Sequence, residues 1–373
     1  MPGLSCDVLV VGGGPAGLTT AIALRSRGAN VLLADSQTPP IDKACGEGIM
    51  PDARRDLAHL GVELPSFHGS EFRGIRFCDR RSSASADFPS GNGLGVRRTV
   101  LHRVLVDCAA AAGVRLAWKT NVSVKPGQPL RINGEEVKYK YLVGADGQSS
   151  RVRSWAGLDD ATLFTRRFGF RIHYRVAPWS PYVEVHWAAA GQAYVTPVAD
   201  DEISISVMTR NTDARSQELI ESIPELRHRL GGAKVITRER GAILTTRRLK
   251  SVARGNVALV GDASGSSDAI TGEGLAVSFR QAQLLGDALA AENLSLYRKK
   301  HSSIMQLPQA MARTMLLMDR WPLLRERALH VLACDPGLFQ SMLSIHIGER
   351  PLRPFILREA PGLGLRLLRP SLP

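Results

Sequence analysis

Three glycines with the spacing G-x-G-x-x-G form the strongest chemical motif of the sequence. The motif reads Gly12-Gly13-Gly14-Pro15-Ala16-Gly17 and lies between a short apolar run and a helix-forming segment. Gly12 permits a tight turn, Gly14 lets the backbone approach a pyrophosphate, and Gly17 allows helix and strand to pack closely. Because a helix N-terminus offers free N–H groups and a partial positive charge, the loop predicts a site for the phosphates of a dinucleotide.

The residues around the motif predict the strand–helix–strand unit that such a loop requires. The run DVLVV at 7–11 predicts a buried strand, 18–27 a helix that ends before Gly28, and NVLLA at 30–34 a second strand. Asp35 follows the second strand, ~20 residues after the motif, where an acid hydrogen-bonds ribose hydroxyls. The unit predicts dinucleotide binding but does not by itself distinguish NAD from FAD.

The rest of the chain divides by pattern into three kinds of segment. Apolar runs at 141–147 and 256–265 each end in a Gly/Asp pair, and we expect both in the same sheet as the first unit. Residues 166–208 alternate apolar and polar side chains, which indicates a separate antiparallel sheet with one wet face. After Gly272 the pattern is helical to about residue 347. Beyond it, four prolines exclude one long helix, namely Pro351, Pro354, Pro361 and Pro370.

The composition is that of an ordinary globular enzyme with a basic surface. The chain has 373 residues, of which 44% are hydrophobic and 22% charged, and its formal net charge is +13. Its arginines are scattered rather than gathered in a block, so we expect no nucleic-acid partner. The five cysteines are odd in number and lack a CxxC spacing, which argues against a disulfide scaffold and predicts no metal site. We find no signal peptide and no ~20-residue apolar run, and we expect a cytoplasmic protein.

Three longer strings, in a fixed order, carry a family resemblance. They are GVRRTVLHRVLVDCAAAAG at 95–113, LVGADGQSSRVR at 142–153 and NVALVGDASGSSDAITGEGLAVSFRQAQLLGDAL at 256–289. Together with the glycine motif they resemble the flavoprotein superfamily that includes p-hydroxybenzoate hydroxylase and the geranylgeranyl reductases. The resemblance spans roughly residues 5–290 and implies that the cofactor is FAD.

The resemblance also implies roles for single residues. In Gly261-Asp262, the aspartate corresponds to the one that binds the ribityl chain of FAD. Asp146-Gly147 corresponds to a pair near the pyrophosphate, and Arg98 to a flavin-contacting arginine at a helix start. Gly272-Glu273-Gly274 would open a helix whose N-terminus faces the pyrimidine edge of the flavin, where a helix dipole stabilises the negative charge of reduced flavin.

The fold that follows is α/β, a Rossmann-like FAD-binding domain with an antiparallel β-sheet substrate domain and a helical C-terminal region. We expect the FAD-binding domain to be discontinuous, over residues 1–160 and 250–300. The substrate domain is expected over 161–249 and the helical region over 301–373.

The segment DKACGEG at 42–48 departs from the aromatic hydroxylases, which usually carry an arginine-rich loop here. Cys45-Gly46 resembles the Cys–Gly pair of the geranylgeranyl reductases, in which this loop lies beside the isoalloxazine. Cys45 is then either a proton donor or polar contact, or a small residue tolerated beside the flavin. Lys43 and Glu47 are either substrate-binding groups or exposed loop charges.

The alternating segment supplies further candidates for substrate contact. Tyr182, Glu184 and His186 share one face of a predicted strand, and the sequence leaves open which face lines the pocket. Tyr194 is a fourth candidate, in the string AYVTPV at 193–198. Geranylgeranyl reductases often carry a YxWxFP motif in this sheet, of which only a Tyr and a Pro are present here.

Three functions are compatible with these residues. The leading prediction is a monooxygenase that uses reduced flavin and O2 on a small hydrophobic or aromatic substrate, held in a water-poor pocket. The alternative is a reductase that saturates C=C bonds of a polyprenyl or other hydrophobic chain, favoured by Cys45-Gly46 and by Thr271-Gly272-Glu273-Gly274. The third is a non-catalytic, flavin-binding redox sensor.

Two absent motifs and the C-terminal segment bear on the partners. No second G-x-G-x-x-G follows residue 140, so NADPH or NADH is predicted to bind transiently, unless another reductant replaces it. No GWxWxIP string is present, which disfavours halogenation. The apolar, arginine-bearing C-terminal helices either cover the substrate cavity or make a peripheral membrane contact that admits a lipid-like substrate. The sequence gives no indication of an oligomeric state.

Overall fold

The structure, a computed structural model, describes residues 5–80, 82–124, 128–211, 213 and 215–368. Its strands, in chain order, are β1 Ser5–Val11, β2 Val31–Ala34, β3 Gly48–Ile49, β4 Ser70–Phe72, β5 Gly74–Cys78, β6 Ser83–Asp87, β7 Gly93–Gly95, β8 Arg115–Ala117, β9 Val122–Ser123, β10 Arg131–Ile132, β11 Glu135–Glu136, β12 Lys138–Gly144, β13 Ala161–Arg175, β14 Tyr182–Ala188, β15 Gly191–Ala199, β16 Glu202–Thr209, β17 Lys234–Val235, β18 Arg240–Leu249, β19 Ala253–Arg254 and β20 Val257–Leu259.

Helices lie between these strands and make up the C-terminal part of the described chain. They are α1 Pro15–Arg25, α2 Pro51–His59, α3 Arg98–Ala111, α4 Arg151–Trp155, α5 Ser216–Glu221, α6 Pro224–Arg229, α7 Gly274–Ala290, α8 Leu294–Arg320, α9 Pro322–Cys334, α10 Pro336–His346, α11 Leu352–Arg358 and α12 Ala360–Leu368. Short 3₁₀ turns occur at Ser66–His68, Gly261–Ser264 and Ala269–Thr271.

A mainly parallel sheet joins the first strands of the chain to the strands near residues 140 and 257, as the apolar runs predict. Its strand order is β19-β20-β12-β1-β2-β8, and all pairs are parallel except β19 with β20. Strands β2 and β20 are buried along their whole length, and β1 and β12 are buried in their C-terminal halves, as is usual for a parallel sheet that is covered on both faces. The predicted run at 256–265 is a strand only as far as Leu259, since Gly261 adopts a positive φ of 59° and begins a 3₁₀ turn.

A second, larger sheet contains the alternating segment and is mainly antiparallel. Its strand order is β17-β13-β16-β15-β14-β5-β6, and β18 pairs with the outer edge of β13. The pair β14 with β5 is parallel, so the sheet is not antiparallel throughout as the sequence predicts. Strands β5 and β6 also come from outside the predicted range 161–249, and the sheet is therefore built from two separate parts of the chain.

The C-terminal helices pack against the second sheet and against α7. Met318, Leu329 and Phe339, one from each of α8, α9 and α10, join a core cluster with Phe77 and Val185 of the sheet. The predicted break in the proline-bearing segment is confirmed, since α11 and α12 are separate short helices. Pro370 lies outside the described residues. Within the described part of the chain, no helix is both long and apolar enough to cross a membrane.

Candidate active site

The glycine loop has the geometry that its spacing predicts. Gly12 has a φ of 113°, and a Cβ at this residue would lie 2.3 Å from the carbonyl oxygen of Ala145. A Cβ on Gly17 would meet the carbonyl oxygen of Gly12 at 1.8 Å. Helix α1 begins at Pro15, directly after Gly14, and a Cβ on Gly14 would meet no protein atom within 4 Å. The helix N-terminus therefore opens onto free space, which Gly14, Pro15 and Ala16 line.

Two side chains hold this loop in place. The Asp35 carboxylate accepts hydrogen bonds from the backbone N–H of Gly13 at 2.6 Å and of Gln37 at 2.7 Å. His102, one turn into α3, has its Nε2 atom 2.8 Å from the carbonyl oxygen of Gly13. Burial lowers the pKa of His102, which keeps the ring neutral. The Asp35 oxygens thus bond to the loop itself, and among the described residues Asp35 is not one that lines the cavity.

Charged side chains from three separate segments meet across the cavity from the glycine loop. Asp262, in the 3₁₀ turn after β20, is exposed to the cavity together with Lys43 and Arg98. Loss of hydration raises the pKa of the Asp262 carboxyl, and the charges of Lys43 and Arg98 oppose that rise. The Nε atom of Arg98 is buried and has no hydrogen-bond partner. This group is available to a polar ligand in the cavity.

The predicted Asp146-Gly147 pair divides between two roles. Gly147 lines the cavity with a φ of 81°, as a backbone position beside the glycine loop. The Asp146 carboxylate accepts a hydrogen bond from the Ser150 hydroxyl and others from the N–H groups of Arg151 at 2.7 Å and Val152 at 3.2 Å. Asp146 therefore caps the start of α4, and only its neighbour faces the cavity.

The start of α7 brings a second helix N-terminus to the cavity. Gly272 has a φ of 71°, and Gly274, the first residue of α7, lines the cavity. Glu273 lies between them and is buried, with neither carboxylate oxygen hydrogen-bonded. Its nearest cation candidate is His346 of α10, with Nδ1 to Oε2 at 3.8 Å. Burial raises the pKa of the Glu273 carboxyl.

The loop that carries Cys45 is fixed by a buried carboxylate. Glu47 has a φ of 58°, unusual for a residue with a side chain, and is 2% exposed. Its oxygens bond to the His173 ring at 2.6 Å and to the backbone N–H of Arg98 at 2.7 Å. These hydrogen bonds, together with the charge of Arg171, hold the pKa of Glu47 below its usual range although burial opposes them. Glu47 therefore positions the loop.

Cys45 itself is half-buried and lines the cavity. The backbone N–H of Glu47 donates a hydrogen bond to its sulfur at 3.4 Å, and the hydroxyl of Ser206 donates to its carbonyl oxygen at 2.8 Å. Lys43 is exposed to the same space. The structure thus brings together Lys43, Cys45, Arg98 and Asp262, which are distant in sequence.

The cavity has two chemically different parts within a volume of about 580 Å³. We call the part lined by the glycine loop, Asp262 and the start of α7 the flavin end, for the cofactor that the family resemblance implies. The part between β5, β14 and helices α8 to α10 is the apolar end. Seven of the eight methionines in the chain line the cavity, namely Met50, Met208, Met305, Met311, Met315, Met318 and Met342.

Tyr194 stands where the two ends meet. It lines the cavity, and its hydroxyl donates a hydrogen bond to the carbonyl oxygen of Ile270 at 2.8 Å. Burial raises its pKa well above the usual range, so the hydroxyl stays protonated. Close by, the fully buried Arg167 pairs with Asp268 at 3.2 Å. Tyr194 and Arg167 together tie the 3₁₀ turn before α7 to the large sheet.

The strand β14 presents its other face to a different environment. Val183 and Val185 line the cavity, so Tyr182, Glu184 and His186 point to the opposite side of the sheet. The Glu184 carboxylate instead bonds to the indole N–H of Trp179 and to the His186 ring, both at 3.0 Å. Of the four candidates in the large sheet, Tyr182, Glu184, His186 and Tyr194, the structure therefore brings only Tyr194 to the cavity, which Glu47 of the Cys45 loop also lines.

A comparison with protein-family models decides the class of the chain. A model described as "FAD binding domain" matches residues 5–295. The chain belongs to this FAD-binding family. The flavoprotein is thus an FAD-dependent oxidoreductase, as the glycine loop and the three strings predict.

Two curated relatives of this flavoprotein are reductases by name. The chain is 25% identical over 305 residues to a digeranylgeranylglycerophospholipid reductase of Methanocella arvoryzae, covering 76% of this chain and 77% of the relative. It is 26% identical over 319 residues to a menaquinone reductase of Mycobacterium tuberculosis, covering 78% of each chain.

Solved structures at lower identity share the fold. A flavoprotein/dehydrogenase from Cytophaga hutchinsonii has a TM-score of 0.80 at 17% identity, covering 97% of this chain and 98% of that one. The p-nitrophenol 4-monooxygenase of Pseudomonas putida has a TM-score of 0.78 at 18% identity, covering 93% of this chain and all of that one. Both confirm the predicted fold class.

The residues of the flavin end fit FAD. The open helix N-terminus at Gly14 would receive the pyrophosphate, and the unpartnered Arg98 Nε and the exposed Asp262 carboxylate offer a donor and an acceptor to other polar parts of the cofactor.

Three residues of the site, His102, Arg167 and His346, were not predicted from the sequence. His102 lies four residues after Arg98 in the segment 95–113, so helical spacing could have indicated that both side chains lie on one face of the helix. Arg167 and His346 have no local signal, because their partners are far away in sequence.

Proposed function

We propose that this flavoprotein is a reductase that saturates C=C bonds of an isoprenoid chain carried by a lipid or a quinone. The observation that carries the proposal is the apolar end of the cavity, with its methionine lining, directly beside the flavin end. Methionine is unbranched and adaptable, so it suits a long flexible hydrocarbon better than a single rigid ring. The names of the curated relatives support the same substrate class.

The polar groups of the cavity are distributed in a way that suits this reaction. Phe77, Val185, Met318 and Phe339 leave the apolar end with few groups that could hydrogen-bond a polar substrate. Burying an isoprenoid chain there is favourable by roughly 25 cal/mol per Å² of apolar surface. A polar headgroup would remain outside this part of the cavity.

Reduction of a C=C bond consumes one hydride and one proton. FAD, when bound and reduced, supplies the hydride. The proton must reach the second alkene carbon from a protein group or water, and Cys45 is the proposed donor because its thiol lines the cavity at the loop beside the flavin end. Glu47 holds that loop through His173 and the N–H of Arg98. The apolar walls exclude water from the reacting bond.

The source of electrons is a separate part of the proposal. The described chain has one sheet of the dinucleotide-binding kind, and β1 with α1 carries its glycine loop. We therefore propose that NADPH or NADH binds transiently, or that another reductant takes its place. Reduction of the purified flavoprotein by each nucleotide, followed by flavin absorbance, would distinguish these cases.

Exposed apolar side chains suggest how a lipid-like substrate enters. Leu317 lines the cavity and is also 44% exposed, so the wall reaches the surface there. Trp321, Leu323, Ile356 and Leu357 are exposed on the neighbouring C-terminal helices. We propose that these helices contact the surface of the cytoplasmic membrane peripherally, with a cytoplasmic location for the body of the protein. Arginines on the same helices would favour anionic lipid.

Anaerobic turnover tests the proposed reaction. The holoprotein is reduced with dithionite and incubated with either a quinone that has an unsaturated isoprenoid tail or a geranylgeranyl ether phospholipid. The masses of the products are measured by mass spectrometry. Gain of two hydrogens per reduced bond without O2 is expected. If substrate stays unchanged until O2 is admitted and then gains an oxygen atom, the reductase proposal fails.

The monooxygenase remains the second candidate. The apolar lining of the cavity favours it as well, since oxygenation by reduced flavin needs protection from water. The same experiment distinguishes the reductase from the monooxygenase, because a monooxygenase requires O2. A small aromatic substrate is the better probe for the monooxygenase. A flavin that is reduced and reoxidised without either product would instead indicate a redox sensor.

A further inference from the structure

A cysteine, a histidine and a glutamate meet on the face of the large sheet opposite the cavity. Cys78 of β5 and His186 of β14 are register partners in the parallel pair of strands, so their side chains share one face. Glu225, in the first turn of α6, reaches the same point. One donor atom from each residue lies within 4.8 Å of the other two, and no other such group occurs among the described residues.

The three residue types match the ligands of zinc. Thiolate sulfur, imidazole nitrogen and carboxylate oxygen are its usual donors, with bonds of about 2.0–2.3 Å. In a tetrahedral site such bonds place the donors roughly 3.5 Å apart, so small side-chain rotations would complete the site. Cys78 and His186 are buried and Glu225 is half-buried, which leaves a fourth position to water from the Glu225 side.

A carboxylate already orients the histidine as metal sites require. The Nε2 atom of His186 is 3.0 Å from Glu184 Oε2, and Glu184 is itself held by the Trp179 indole N–H at 3.0 Å. A proton on Nε2 leaves the Nδ1 lone pair free for a cation. A histidine that bonds a metal through one nitrogen and a carboxylate through the other is the usual arrangement in zinc proteins.

The surrounding charges set the conditions for binding. Burial, aided by the negative charge of Glu184, raises the pKa of the Cys78 thiol to about 12, so the thiol is protonated when no cation is present. Arg76 pairs with Glu184 at 3.3 Å, and Arg229 pairs with Glu225 at 3.2 Å. A cation must therefore displace the Cys78 proton and compete with Arg229 for Glu225.

We propose that Cys78, His186 and Glu225 bind one Zn²⁺ ion that fastens α6 to the back of the large sheet. Binding converts the thiol to a zinc-bound thiolate and releases one proton, without any change in oxidation state. The site is independent of the FAD cavity and of the reaction proposed there. The strand β14 separates the site from the cavity, because Val183 and Val185 of this strand face the cavity on the other side.

The experiment uses chelator-treated holoprotein titrated with Co²⁺ and then with Zn²⁺. Tetrahedral Co²⁺ gives visible bands at longer wavelength than flavin, and a Co²⁺–thiolate bond adds a charge-transfer band. We expect one Co²⁺ per chain, displaced by Zn²⁺, with about one proton released per ion in weak buffer. No thiolate band in the wild-type protein would overturn the proposal, whatever the variants do.

Matched variants locate the site. Cys78→Ala should abolish the thiolate band, whereas Cys108→Ala in α3 should keep it. Glu184→Gln changes the group that orients His186, as well as the contacts of Glu184 with Trp179 and Arg76, and should weaken Zn²⁺ binding by about 10- to 100-fold, whereas Glu221→Gln on the exposed side of α5 should not. Flavin content serves as the folding check for each variant. Equal Zn²⁺ binding by Cys78→Ala and the wild type would contradict the assignment.

Discussion

The flavin end and the apolar end of one cavity are built by different means. At the flavin end, much of the wall is formed by backbone, namely glycines with positive φ and the N-termini of α1 and α7. At the apolar end, side chains from β5, β14 and helices α8 to α10 form the wall, and no single segment provides it. The glycine-lined part of the flavin end therefore depends on the geometry of short local segments, whereas the substrate space depends on which helices cover the sheet.

The largest effect is expected at the flavin end, from Gly14→Val. A Cβ at Gly14 meets no protein atom within 4 Å, so the variant should fold, but the added methyl groups enter the space of the pyrophosphate. We expect the protein to lose its bound FAD, measured as flavin absorbance per chain. Gly362→Val, on the exposed side of α12, is the control and should stay yellow. A yellow Gly14→Val protein with full flavin content would rule out this role for the loop.

Glu47→Gln, in the loop that carries Cys45, should cost about 3 kcal/mol of unfolding free energy. The change leaves the buried His173 without its carboxylate partner and removes one of the two carboxylates beside Arg171, which keeps Asp42. Because the pKa of Glu47 is lowered in the fold, its contribution is present at neutral pH and disappears as the pH falls through the folded-state pKa. Urea unfolding at several pH values measures this. A cost that does not shrink in acid would refute the assignment.

Cys45→Ala tests the proposed proton donation by the Cys45 thiol. If the thiol donates the proton, turnover should fall about 10²-fold, while reduction of the flavin stays unchanged. The two steps are separated by rapid mixing under anaerobic conditions. Cys334→Ala is the matched control, because that cysteine is exposed and distant in sequence. Equal turnover in Cys45→Ala and the wild type would leave Cys45 as a small residue tolerated in the loop.

Met315→Trp addresses the apolar end alone. The larger ring would fill space beside Met318 and should lower turnover of a long isoprenoid substrate about tenfold, or about 1.4 kcal/mol. Flavin content should not change, because Met315 is not part of the flavin end. Leu323→Trp adds the same bulk at an exposed position and serves as control. Loss of flavin from Met315→Trp would show that the two ends are not separable.

The smallest effect is expected from Glu273→Gln, at the start of α7. Burial raises the pKa of Glu273 because the fold favours the protonated carboxyl. The wild-type protein is therefore most stable below the unfolded-state pKa, and it loses stability as the pH rises through the folded-state pKa. The variant has no carboxyl to ionise, so at neutral pH its unfolding free energy should exceed that of the wild type by about 1 kcal/mol. Thermal unfolding across pH measures the difference, which should vanish in acid. A constant difference would exclude ionisation of Glu273 as its cause.

Features of the flavin end that depend on short segments could be predicted from the sequence. The glycine motif, the parallel strands and the Gly261-Asp262 turn have local signals, since each depends on spacing within a short segment. The face of β14 that lines the cavity was not predictable, because both faces are buried and alternation gives no polar side. Tyr182, Glu184 and His186 therefore looked as suitable for the pocket as Val183 and Val185.

Contacts between distant segments were the other limit of prediction. The Cys78 and His186 pair depends on the parallel register of β5 and β14, and the Glu273 and His346 pair on how α10 packs against α7. Neither follows from residue spacing. Five of the methionines that line the cavity lie on α8 and α10, but apolar residues at helical spacing are also typical of ordinary core helices.

The parallel pairing of β5 with β14 has a consequence for synthesis of the chain on the ribosome. Arg76 meets its partner Glu184 only after 108 further residues have been made, so β5 and β6 emerge long before the strand that completes their sheet. Such non-local pairing is slow and leaves strand edges exposed meanwhile. The cavity lacks the turn at Asp262 and the start of α7 until those residues emerge, so the FAD-binding domain, which extends to residue 295, gains stability from its cofactor only late in synthesis.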